Sequence, residues 1–168
     1  MGWVGDLGIL AAEDGLVVLD RRSAIQQIEY DRLMNQQGGI TLGAPSSLEL
    51  RSDERERLVA VSSVLADVGV KTEAFGGGTF VVREAPSGIA PEGAAYLVKW
   101  AIENGRQAED LSPSRLRWEL AKWVADSTDD RAEPNIILKG LSRNLTKPPV
   151  EAKVGGTLTL DALRRIIK

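Results

Sequence analysis

The 168-residue chain contains neither histidine nor cysteine. Without imidazole it lacks the side chain most often used as a general base near neutral pH and as a transition-metal ligand. Without thiols it has no sulfur nucleophile and no disulfides, so the fold rests on packing and no oxidising compartment is indicated. Aromatic residues make up only 5% of the sequence. No apolar stretch approaches the roughly 18–20 residues that span a bilayer. The opening Met1-Gly2-Trp3, with Asp6 close behind, does not read as a signal peptide, so a cytoplasmic chain without a membrane partner is expected. Neither sign of charge dominates: 21 Lys and Arg face 24 Asp and Glu, for a formal charge of −3. That balance argues against a strong, autonomous phosphate-binding surface, although it leaves room for a local basic patch. What remains is the chemistry of Asp, Glu, Lys and Ser, including a hard cation such as Mg²⁺ held by carboxylates. The 43% hydrophobic content suffices for a core, in one domain or two small lobes.

Apolar runs at 3–10 and 16–19, separated by Glu13-Asp14-Gly15, predict a β-hairpin. A helix is predicted over 21–36, with Asp20 as N-cap and Ala24, Ile25, Ile28 and Leu33 along one side. Residues 40–50, interrupted by Gly43 and Pro45, read as an edge strand. The next helix should start at a Ser52 cap, carry Leu58, Val61, Leu65 and Val68 on one face, and stop at Gly69. Strands at 70–74 and 79–84 flank Phe75-Gly76-Gly77-Gly78, and residues 86–91 form a break. Helices are predicted at 94–104, at 113–125 after Ser112-Pro113, and from Pro134 with Ile137, Leu138, Leu141 and Leu145 on one side. A short strand at 157–159 and a last helix with Leu160, Leu163 and Ile167 close an α+β chain.

Several groupings could carry chemistry. Gly76-Gly77-Gly78 feeds a strand-like Thr79-Phe80-Val81-Val82, where a phosphate loop would feed a helix, so a hairpin turn is the better reading. Trp3, Trp100, Trp118 and Trp123 are not interleaved with basic residues, which favours core or interface packing over base stacking. Asp20, Glu29 and Asp31, with Asp126, Asp129 and Asp130, are the only carboxylate groupings that could build a Mg²⁺ site; capping residues or solvated turns are the better reading. Arg21-Arg22, Arg115 with Arg117, and Arg164-Arg165 are pairs and not a stripe, so solvated helix faces are expected. No cofactor site is visible. The residues alone describe an interaction domain.

The segment Gly15-Leu16-Val17-Val18-Leu19-Asp20, continuing through Arg21-Arg22-Ser23-Ala24-Ile25 to Ile28-Glu29-Tyr30-Asp31, resembles the opening of the C-terminal domain of MutL, a DNA mismatch-repair protein. Asp20, Ala24, Ile28 and Tyr30 carry that match. Further matches follow in the family's order. They are a proline-led strand from Pro45 ending Leu48-Glu49-Leu50, an acidic-started helix to Gly69, Phe75-Gly76-Gly77, and Phe80-Val81-Val82-Arg83 before Pro86. Gly156-Thr157-Leu158-Thr159-Leu160-Asp161-Ala162-Leu163 resembles the closing strand and helix, while 88–134 match in element pattern alone.

The resemblance implies a two-lobed α+β fold: a dimerisation lobe from 1–45 and 106–168, and an inserted regulatory lobe at 46–105. It implies a homodimer, with Val4, Leu7, Ile9, Val17, Ile137, Leu141 and Leu163 as interface candidates. Two chains would be tethered so that ATPase domains elsewhere in a longer protein can close on DNA and signal to other mismatch-repair proteins. ATP binding by this chain and more than weak direct DNA binding are not expected. The departures bear on the nuclease activity of some members. Their Asp is kept at Asp20, but Arg22 stands in place of a His and would repel a cation, and Gln26 in place of a Glu. Two later Cys- and His-bearing segments fall near Ala125-Asp126 and near Val154, without thiolate or imidazole. The matching form is one without endonuclease activity. A sliding-clamp contact would overlay 40–45, where Leu42 and Pro45 remain and the family's Gln does not. The competing readings are a divergent carboxylate and Mg²⁺-dependent nuclease using Asp20 and Asp126, and a stand-alone regulatory ligand-binding domain with a deep apolar pocket.

Overall fold

In the computed structural model, residues 2–12, 15–105, 111–128, 134–141, 147, 149 and 155–159 are described, and within these the side chains of 2, 3, 10, 12, 134–136, 138 and 155–159 are excepted. The predicted N-terminal hairpin is present, but its first apolar run is two strands. β1 (Gly2–Val4) turns back through Gly5-Asp6 into β2 (Leu7–Ala12), which pairs with β3 (Gly15–Asp20). β7 (Gly155–Thr159) joins the far side of β3, giving an antiparallel sheet in the order β1-β2-β3-β7. Gly5-Asp6 is itself two-residue turn chemistry, which the hydrophobicity of the run conceals.

β3 runs directly into α1 (Arg21–Met34), and Asp20 caps it as predicted by accepting the Ser23 N–H at 2.8 Å. The buried side of α1 is Arg21, Ala24, Gln27, Tyr30 and Leu33, while Ile25 and Ile28 are only half-buried. β4 (Ile40–Glu49) is an edge strand, and its pairing shifts between Thr41 and Ser46, where Gly43 and Pro45 interrupt the ladder. α2 (Ser52–Asp67) follows, then β5 (Lys71–Gly76) and β6 (Thr79–Ala85), giving the sheet order β4-β6-β5. The glycine segment is a hairpin turn, with Gly76, Gly77 and Gly78 all at positive φ. Leu48, Phe80 and Val82 face the helices, while Ser47, Glu49, Glu73, Thr79 and Arg83 lie on the other, largely polar side, with Val81 buried among them.

α3 (Pro91–Asn104) packs on α2 and on this sheet, and α4 (Pro113–Ser127) packs on α1 and α3. α5 (Pro134–Leu141) lies against α1 and β2. One core runs through these elements: Tyr30 and Leu33 from α1, Leu58 and Leu65 from α2, Val82, Leu97, and Leu116 and Leu120 from α4. Tyr30 meets Trp118 edge to face at 5.2 Å between ring centres. Trp123 stacks on Tyr96, and the Arg115 guanidinium lies over Trp100, so the described tryptophan side chains pack as expected.

Several element ends shift by one or two residues, and three other boundaries differ from expectation for a physical reason. The N-cap of α2 is Arg51 and not Ser52, because Glu54 reaches back to accept the Arg51 N–H at 2.8 Å. α3 starts at Pro91, three residues early, since proline suits a first helical position whose N–H needs no partner. The expected lobe boundary at 45 falls inside β4, all of which belongs to the second sheet. Trp3's side chain, Leu145 and the closing helix with Leu160, Leu163 and Ile167 lie outside the described residues, as do Asp129, Asp130, Arg164 and Arg165. No helix among the described residues is long and apolar enough to cross a membrane.

Candidate functional site

The first sheet carries the largest concentration of uncovered apolar side chains among the described residues. Paired residues point to the same side of an antiparallel sheet, and successive residues alternate. Val4 pairs with Leu7, Leu7 with Asp20, Ile9 with Val18 and Ala11 with Leu16, so Val4, Leu7, Ile9, Ala11, Leu16 and Val18 share one side. Val4 is 67% exposed and Leu7 45%, Ala11 is exposed, and the other three are half-buried. On the opposite side Leu19 is buried and α1 and α5 cover the sheet.

This register sorts the interface candidates. Val4, Leu7 and Ile9 lie on the open side. Val17 pairs with Leu10 and Thr157 and alternates with Val18, so it lies on the Leu19 side, where it is half-buried. Val18, Ala11 and Leu16 take its place on the open face. A signal for this was present in the sequence. Ala12 pairs with Gly15, and two residues of sequence between them are enough to set Ile9 opposite Val18. Ile137 is 3% exposed and belongs to the interior of the protomer, whereas Leu141 on the same helix is half-buried. Leu163 lies outside the described residues.

The positions matched to the nuclease motifs come partly together. α1 and α4 pack side by side, which brings the start of one near the end of the other. The Arg22 guanidinium lies between two carboxylates, with Nε 3.5 Å from Asp6 Oδ2 and Nη1 3.6 Å from Asp126 Oδ1. Asp20 is engaged as the helix cap, and Gln26 donates from Nε2 to the Trp118 carbonyl at 3.3 Å. Ala125 is buried in α4, and Val154 lies outside the described residues. Glu29 is paired with Arg32 at 2.7 Å. Among the described residues, no group of three or more Asp or Glu side chains converges as metal ligands would. The acidic partner Asp6 was missed in the sequence because it sits in a turn hidden within an apolar run.

Leu42 is half-buried and Pro45 exposed on the edge strand β4, both within the stretch between Thr41 and Ser46 where its pairing shifts. A concavity of about 230 Å³ is lined by Glu49, Leu50, Glu54, Lys99, Ile102 and Glu103. Four of these six residues are charged, which is not the lining of a deep apolar ligand pocket.

An α+β domain with one side of a sheet apolar and uncovered among the described residues has the character of a protein-association domain. The family described as "MutL C terminal dimerisation domain" matches residues 7–135. Proteins named "DNA mismatch repair protein MutL" are similar over most of the chain. The one from Phenylobacterium zucineum is 35% identical over 86% of this chain and 23% of its own length. The one from Leptospira biflexa is 33% identical over 74% and 21%, and that from Syntrophobacter fumaroxidans 30% over 80% and 22%. The chain belongs to the MutL C-terminal dimerisation domain family. It spans less than a quarter of the length of these relatives.

Proposed function

We propose that two copies of this chain associate through the open side of the first sheet, and that the pair tethers two copies of a longer mismatch-repair protein. The observation that carries this is the shared register of Val4, Leu7, Ile9, Ala11, Leu16 and Val18 on a side that no described helix covers. In a two-fold dimer the same patch serves both partners, so one self-complementary apolar face suffices. Leu141, half-buried at the end of α5, remains a further candidate outside that face. The first sheet with α1, α4 and α5 would be the dimerisation lobe, and the second sheet with α2 and α3 the inserted lobe, dividing near 38–39. The relatives' names support a role in mismatch-repair complexes. Light scattering at micromolar concentration should give twice the 18.1 kDa chain mass; a protomer mass across that range would overturn the reading.

The same reading makes this a domain without nuclease activity. A cationic Arg22 held between Asp6 and Asp126, and an amide at Gln26 bonded to a backbone carbonyl, offer no anionic pocket for Mg²⁺ or Mn²⁺. Supercoiled plasmid should stay intact with either ion. Metal-dependent nicking abolished by Asp20→Ala would establish the divergent nuclease instead. A sliding-clamp contact at Leu42 and Pro45 would rest on a half-buried leucine and an exposed proline without the family's Gln.

A further inference from the structure

We propose that Asp6 is a positioning residue for the association face, fastening the β1–β2 turn to the start of α1 and, through Arg22, to the end of α4. The inference rests on the dimer reading above. Asp6 occupies the second position of the two-residue turn between Val4 and Leu7, the most exposed apolar side chains of that face. Its backbone carbonyl accepts the Arg21 N–H at 2.8 Å. That N–H is one of the first-turn donors that have no acceptor within their own helix. Its Oδ1 accepts from Arg21 Nε at 3.3 Å and from Nη2 at 3.2 Å. Oδ2 faces Arg22, whose other end faces Asp126. The Arg21 side chain is only 10% exposed, so this pair is screened less than the half-exposed Arg22 contacts.

The geometry ties these contacts to association. β1 is three residues long and is paired on one side only, with β2. The position of Val4 therefore depends on three residue pairs and on the turn that Asp6 holds. A protomer whose turn has come loose presents an incomplete face. Both protomers of a symmetric dimer must present it, so the apparent dissociation constant rises as the inverse square of the competent fraction. A competent fraction of about one third weakens the dimer about tenfold. The core around Tyr30, Leu120 and Trp118 uses none of these contacts and should be unaffected.

The test is Asp6→Asn in the full chain, with Arg22→Gln as a second variant that disturbs only half-exposed groups. Dimer dissociation constants come from analytical ultracentrifugation, and local order from amide hydrogen exchange. For Asp6→Asn the expected result is a dissociation constant raised about tenfold, with protection lost over 2–9 and retained in α1 and α4. Arg22→Gln should move both readouts the same way by less, and added salt should weaken the wild-type dimer more than the Asp6→Asn dimer. A wild-type dissociation constant in Asp6→Asn would overturn the proposal. So would uniform loss of protection through α4, which would mark Asp6 as a general stabiliser. A wild-type chain that is monomeric throughout would overturn the dimer reading instead. The anchoring claim would then stand or fall on whether exchange in Asp6→Asn rises over 2–9 alone.

Discussion

Val17 and Val18 are neighbours in β3 but face opposite sides of the first sheet, so aspartate should fail differently at each. Val18 is half-buried in the protomer. Completing its burial in a dimer contributes about 1 kcal/mol per copy, taking half of a full valine burial, or about 2 kcal/mol for the pair. A carboxylate there also has to be desolvated, at a cost of at least about 1 kcal/mol per copy. The sum of about 4 kcal/mol weakens the dimer roughly a thousandfold. Val18→Asp should therefore run as a monomer where the wild-type chain is a dimer, with its fold intact. Val17→Asp places the charge on the Leu19 side, where Val17 is half-buried, and its desolvation costs the protomer itself about 3 kcal/mol. For a chain of this size that lowers the unfolding midpoint by roughly 6–12 °C. The assays are light scattering for mass and thermal unfolding by circular dichroism. Unfolding is compared below the wild-type dissociation constant, so that lost association does not itself lower the midpoint. A Val18→Asp dimer of wild-type affinity would refute the assignment of faces. Loss of association in Val17→Asp with a wild-type unfolding midpoint would refute it equally.

Two further outcomes test the packing and the electrostatics. A Cβ on Gly93 would sit 2.6 Å from the Trp123 ring, so Gly93→Ala has to push α3 and α4 apart; it should lower stability by about 1–3 kcal/mol in urea unfolding, and a neutral result would show that the contact is slack. The hydrogen bond from the Arg51 N–H holds the Glu54 carboxyl below its ordinary value of 4.5. A depressed folded value means that the contribution is present above the unfolded value and is lost as pH falls through the folded one. The stability gap between the wild-type chain and Glu54→Gln should therefore narrow as pH falls below about 4.5, and a gap constant from pH 7 to 3 would contradict that linkage.

Features decided by a few neighbouring residues were legible in the sequence. Asp20 caps α1, Ser112 caps α4 by accepting the Arg115 N–H, and the glycine turn joins two strands, because each depends on local chemistry alone. Legibility fell where an element has more than one buried side. α4 presents Trp118 to Tyr30 on α1 and Trp123 to Gly93 and Tyr96 on α3. A search for a single apolar stripe finds Trp123 with Leu116 and Leu120 and leaves out Trp118. β3 posed the same difficulty, since Leu16-Val17-Val18-Leu19 is apolar on both sides and its hydrophobicity cannot say which valine faces out. Only the loop length, which fixes register, carries that information.

The candidate site shows the other limit. The resemblance implies that Arg22 departs from a metal-binding pattern, which describes only what the side chain cannot do. The structure supplies what it does, through a partner in another part of the chain: Asp6, brought within 3.5 Å by the turn that splits the first apolar run. A guanidinium is a permanent charge with several fixed donors, and it can face two carboxylates at once. Where a metal ion would need its ligands deprotonated and converging, Arg22 needs only Asp6 and Asp126 on either side of it. One side chain that opposes a cation at this position can therefore also join the β1–β2 turn to α4. The two roles separate experimentally. Arg22→Gln removes the repulsion and the link together, whereas Asp6→Asn removes the link and keeps the repulsion.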